Sequence, residues 1–160
     1  MRILATFILS ASLVSTGASA FDSEHLKQLK ETNACSKCDL SDADLSDLDL
    51  ARAKINRTNV SGANLSGANL MFANLVGSRF IGANMTEINL SAANASGANL
   101  KGANLTDAKL IRSLLRGANL AETDLTGANM KGANLSDISQ DKAIFCNTIM
   151  SDGRVERSGC

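Results

Sequence analysis

One regularity restricts this chain more than any other: an apolar residue returns at every fifth position. Twenty such positions run from Leu40 to Leu135. Fourteen are Leu, and the rest are Ile55, Val60, Phe80, Met85, Ala95 and Met130. With 44% of the chain apolar, chance would fill all twenty at a rate of about 10⁻⁷, so the period belongs to the fold. A second, smaller series stands two residues before each centre. Thirteen of its twenty members are Ala; the others are Cys38, Leu48, Thr58, Ser78, Ile88, Ser113 and Thr123.

Neither common backbone has this period. Five residues of α-helix turn by about 500°, which scatters successive centres round the axis. Five residues of flat strand flip the side chain, so alternate centres would point to opposite faces. Within one unit, however, the centre and the residue two before it share one side of a local strand. A chain that bends once per unit can bring every such pair to a common axis, and the result is a parallel β-solenoid. The glycines mark the bends: nine of twelve stand two residues after a centre, from Gly62 to Gly132, where a corner asks for unusual dihedrals. Asn64, Asn69, Asn99 and Asn104 immediately precede centres, where their amides can support turns and ladder between coils. Sequons such as Asn64-Leu65-Ser66 arise from the repeat itself and are not read as glycosylation sites. The chain has no Pro, Trp or Tyr, as suits a core built from many small, similar layers.

The period leaves open how many bends close a coil. The motif A-(D/N)-L-x-x, as in Ala63-Asn64-Leu65-Ser66-Gly67 and Ala103-Asn104-Leu105-Thr106-Asp107, resembles the pentapeptide-repeat family over residues 35–150. The resemblance implies an all-β fold, a right-handed quadrilateral parallel β-helix with four units and twenty residues per coil. It is specific to the fold and weakly specific to function. On that coil, Leu65, Met85 and Leu105 stack in one column. Phe80, the bulkiest centre, shares a coil with Ala95, the smallest, and with the oversized Ile88, which reads as volume compensation.

The same register sorts the outward residues. Asp44, Asp47, Glu87, Asp107 and Asp124 fall on a second side without a basic residue. Arg52, Lys109, Arg112 and Lys131 fall on the third against Asp49, and Lys54, Arg57 and Arg116 on the fourth against Asp137. The plain alternative is solvated charge that happens to segregate. Met71 and Phe72 occupy outward positions where other units have Ser and Gly, and Ile111 lies two coils on; Val76 and Leu114 are similar exceptions on the fourth side. Scattered exposed apolar residues are common. Met71, Phe72 and Ile111, bordered by Arg52, Lys109 and Arg112, nevertheless form the best candidate for a protein-binding patch.

Residues 1–20 read as a secretory signal peptide: Met1-Arg2, an apolar stretch from Ile3 to Val14, and Ala18-Ser19-Ala20 as the cleavage pattern. The apolar run is too short to span a bilayer, so the expectation is an exported protein, periplasmic or secreted, with no membrane insertion after cleavage. Removing Arg2 leaves 15 basic against 16 acidic residues, and no global charge draws the chain to nucleic acid. Residues 21–34 read as an N-terminal cap, with a short helix from Asp22 to Thr32 capped by Asp22 or Ser23. The register breaks at Gln140 and resumes with Ala143-Ile144-Phe145. Phe145 and Met150 then close the last coil, and Asp152-Gly153 turns the chain into a final segment, 151–160.

Four cysteines in an exported chain point to disulfides. On the coil that the resemblance implies, Cys35 and Cys38 stand at one end and Cys146 and Cys160 at the other, roughly 25 Å apart. Bridged Cα atoms lie within about 7 Å, so the pairs are Cys35–Cys38 and Cys146–Cys160. The resemblance implies the same, since a C-x-x-C entering the repeats and a C-terminal pair recur in exported members. A thioredoxin-like reading of Cys35-Ser36-Lys37-Cys38 lacks a βαβ setting, and zinc lacks four gathered ligands.

No nucleophile–base set, paired carboxylates in a pocket, or phosphate loop is present, and His25 lies in the cap helix, so no enzyme, metal or cofactor is expected. Some family members imitate duplex DNA and bind topoisomerases. Balanced charge and an export signal count against that alternative. What remains is a rigid exported scaffold that binds a protein partner, or itself, through a flat side.

Overall fold

Twenty parallel bridges set the pitch of the molecule. Each joins a residue to the one twenty further on, from Ala34 with Lys54 to Asn129 with Ile149. The computed structural model describes residues 21–160; the signal peptide expected over residues 1–20 lies outside the described residues. Within a coil, every side is one bridged residue flanked by two inward side chains, and a two-residue turn follows. The sequence leads one to expect a short strand on each side. Three residues between turns allow a single bridge per neighbour, and among the described residues the two regular strands lie at the C-terminal end.

The turns have one geometry throughout. All twenty-three residues standing two after a centre, from Lys37 to Asn147, have positive φ, and nine of them are Gly. In most of them the N–H of the next residue donates back to the centre's carbonyl, as Ala43 does to Leu40 at 3.2 Å, while the Thr58 N–H donates to the Ser78 hydroxyl instead. A positive φ at the third residue with this bond is type II turn geometry. Where an Asn or Asp precedes the centre, it locks the turn from outside. Asn64 Oδ1 accepts from the Ser66 N–H at 3.3 Å and hydroxyl at 2.9 Å, and the Asn84 amide donates to Asn64 Oδ1 at 3.0 Å one coil on.

Inside, Leu65, Met85 and Leu105 are fully buried in line, as are Phe80 and Ile88, while Ala95 is 3% exposed. Where Ala is replaced by Thr58, Ser78 or Thr123, the buried hydroxyl donates to a carbonyl of the preceding coil: Cys35, Ile55 and Leu100 respectively. No buried donor is left unmatched there, so these substitutions cost little.

Both ends are covered. The helix α1, Ser23–Thr32, is capped by Asp22, whose carboxylate accepts the Glu24 N–H at 2.9 Å. Leu29 is its buried residue, and Asp22 and His25 hold it to Asp39: the Asp22 N–H donates to the Asp39 carbonyl, and His25 Nδ1 accepts the Asp39 N–H at 3.2 Å. At the far end β1, Thr148–Ile149, pairs antiparallel with β2, Val155–Glu156, across the turn at Asp152-Gly153. Gln140 does not interrupt the coil: Asn119 still bridges Ser139, and the Ala143 N–H donates to the Gln140 carbonyl. Only the side-chain type changes there, because no further coil covers that column and a polar centre meets water. Disulfides join Cys35 to Cys38, with Cα atoms 5.5 Å apart, and Cys146 to Cys160, 4.6 Å apart.

Candidate functional site

The corner that closes the third side repeats every twenty residues, so one edge of the prism carries Arg52, Phe72, Ala92, Arg112, Gly132 and Asp152 in order. Their predecessors, among them Met71, Ser91, Ile111 and Lys131, shoulder the same edge. Met71 and Phe72 stand up at one level and Ile111 and Arg112 two coils later, about 10 Å on. Small Ser91 and Ala92 lie between them, and Lys131, Gly132 and Ser151 continue beyond. The difference in size leaves a groove of about 710 Å³ that runs along the edge to Asp152.

Phe72 is the unusual member. It is 55% exposed and has φ of 60°, a conformation that a bulky side chain adopts only at a cost. The Arg52 guanidinium carbon lies 5.6 Å from the centre of its ring, within cation–π range. The stem of Arg112 leans over Gly132, where an added Cβ would stand 3.3 Å from Arg112 Cγ. Among the described residues, Arg52, Lys109, Arg112 and Lys131 make no ion pair within 4.0 Å. The Asp152 carboxyl is held below the usual carboxylate range by the Arg154 backbone N–H first and by its side chain second.

The structure therefore brings Met71, Phe72, Ile111 and Arg112 to one groove and places Arg52 on the ring of Phe72. Lys109 does not join them. It is the bridged residue in the middle of the flat side, between Asn89 and Asn129. Sequence reasoning missed Ser91, Ala92, Gly132 and Asp152, and left Lys131 on the flat side. Stepping by twenty from Met71-Phe72 finds all of them, but a groove is made by its small residues, and these attract no notice in a sequence. Among the described residues, no group of three or more His, Cys, Asp or Glu is placed to hold a metal ion, and no helix is long and apolar enough to cross a membrane.

The model of the pentapeptide repeats matches eight copies over residues 35–71, 73–110 and 103–138. The chain belongs to the pentapeptide-repeat family. Proteins of this family fold as right-handed quadrilateral β-helices. A crystal structure of the pentapeptide repeat protein Rfr23 from the cyanobacterium Cyanothece 51142 is similar at 28% identity. The match has a TM-score of 0.73 and covers 79% of this chain and 97% of that one. HetL, a pentapeptide repeat protein involved in heterocyst differentiation regulation from Nostoc sp. strain PCC 7120, is 26% identical with a TM-score of 0.44, over 77% of this chain and 74% of its own. No curated protein matches the chain.

Proposed function

We propose that this pentapeptide-repeat protein is an exported, non-enzymatic scaffold that holds a protein partner along the Phe72 edge. The observation that carries the reading is Phe72 itself: an exposed aromatic in a strained corner where glycine would be easier, beside a groove and three unpaired cations. Nothing in the coil needs that ring, since the same position is Gly, Ala, Asn or a charged residue elsewhere. Aromatic and Arg side chains at a partly apolar, rigid surface are what protein partners grip. Export accords with two disulfides that tie the ends. The cap at 21–34, the coils at 35–150 and the tail at 151–160 then act as one presenting body. Imitation of DNA is less well supported, because the unbroken acidic set is confined to one side: Asp44, Asp47, Glu87, Asp107 and Asp124.

A photo-crosslinking residue in place of Ala92 tests this in the native host. The expected result is a discrete set of covalent protein adducts that Phe72→Gly removes, since that change deletes the ring and suits the left-handed corner. Adducts from the acidic second side but none from position 92 would overturn the assignment of the edge.

A further inference from the structure

We infer that the occupant of this edge is a second copy of the chain, laid antiparallel about a two-fold axis that passes between Ala92 and Arg112. The inference rests on the reading of the edge as a protein-contact surface, and it follows from the order of residues along it. A two-fold perpendicular to the stack and centred there sets Arg52 against Asp152, Phe72 against Gly132, and Ala92 against Arg112. Each pairing is either opposite in charge or large against small. The shoulders obey the same rule where it matters, with Ile111 against Ser91. Six coil levels are all used, so neither copy overhangs the other, and the contact closes on itself.

The other arrangements fail on the same residues. A two-fold parallel to the stack would set Arg52 on Arg52, Arg112 on Arg112 and Phe72 on Phe72, which stacks like charge and leaves the groove unfilled. Laying the basic edge on the acidic second side of another copy matches charge but leaves Phe72 facing a flat surface, and it generates open filaments. In the antiparallel pair, the Phe72 ring enters the partner's groove over Gly132. There the leaning Arg112 can offer its guanidinium to the ring, as Arg52 already does within the chain. The Asp152 carboxylate already holds Arg154, and a carboxylate with two oxygens has room for a second guanidinium.

The extent of the contact sets its strength. Five coil steps span about 24 Å, and an edge of that length buries less than the roughly 800 Å² per partner of a standard interface. The dimer is therefore weak, with a dissociation constant between about 1 μM and 1 mM. It forms where the protein is concentrated.

Sedimentation equilibrium of the purified protein up to about 1 mM, with charge exchange at the outer pair, tests the inference. Arg52→Asp and Asp152→Arg are each expected to weaken the dimer about tenfold, because every two-fold contact carries the pair twice. The doubly exchanged protein, Arg52→Asp with Asp152→Arg, should return to within about threefold of the parent. In the parallel arrangement it would stay weak. Phe72→Gly should abolish association without unfolding the chain. A protein that is monomeric at the highest concentration overturns the inference, as does a dimer indifferent to these changes or one not restored by the double exchange. The edge would still stand as a surface for another protein if the crosslinks from position 92 capture one.

Discussion

At the scale of the residue, the corner position decides what each unit tolerates. Asp42, Asp47 and Asp107 each lay a carboxylate oxygen over the glycine one coil on, at Gly62, Gly67 and Gly127, where a Cβ would collide with it. Gly97 has the same left-handed conformation with nothing within 4 Å. Replacing Gly97 with Ala should cost about 1 kcal/mol through the backbone alone. Gly62→Ala should cost roughly 1 kcal/mol more, and the excess should vanish when Asp42 is changed to Gly. Urea unfolding of the four proteins measures this, and equal losses at the two glycines would show that the carboxylate simply swings aside. Titration carries a second expectation. Asp39 is held below the usual carboxylate range by the Ser41 hydroxyl first, then by the Ser41 N–H, with Asn59 and His25 adding and partial burial opposing. A group whose folded pKa is depressed contributes stability above its unfolded value, about 3.9, and loses it as pH falls through the folded value. The NMR midpoint of Asp39 should therefore lie below about 3.9 and move up in Ser41→Ala, with less acid sensitivity of folding in that variant.

At the scale of the element, each coil is a layer of nearly fixed cross-section, and its side chains share that space. Phe80, Ile88 and Ala95 fill one layer, each at most 3% exposed. Phe80→Leu should destabilise by about 1–2 kcal/mol, and adding Ala95→Val should recover part of it, whereas Ala95→Val alone should overpack and destabilise. Additive losses in calorimetry would show that the two sites do not share a cavity. The period, the corners, the cap helix and the turn at Asp152-Gly153 could be read from the sequence, and this compensation once the coil length was supplied. Four sides per coil could not be read that way, since a unit at one corner looks like a unit at any other; that number came with the family resemblance. The register break at Gln140 was misread because an inward position at the end of a stack no longer needs to be apolar. The candidate site was half legible. Its bulky exceptions, Met71, Phe72 and Ile111, stand out against Ser and Gly, but its floor of Ser91, Ala92 and Gly132 follows the repeat and is visible only once the coils are stacked.

At the scale of the whole molecule, the coils and the bridges do separate jobs. Along the stack, nearly every coil donates and accepts backbone bonds with the coils above and below at 2.6–3.1 Å, and the disulfides lie at its two ends, with none between Cys38 and Cys146. A solenoid of this kind holds together through nearest neighbours, so loss of a bridge should loosen an end and leave the middle intact. The two ends differ. Cys35 and Cys38 are buried in the first layer, at 0% and 6% exposure, beneath α1. Cys160 is exposed, and the segment it ties is paired to the last coil by only two-residue strands. Made without residues 1–20 in a reducing cytoplasm, the protein should still fold through its coils. Cys160 should take up a thiol reagent at once and Cys35 and Cys38 only slowly, and amide exchange should be fast over 151–160 and slow from Leu45 to Leu125. Expressed in full in the native host, the protein is expected to begin at Phe21 and to weigh four hydrogens less than its reduced chain. Thiols that all react at the unfolded rate, with protection lost along the whole stack, would mean that the bridges hold the solenoid together, and the edge proposed as the partner surface would then be rigid only in the oxidised protein.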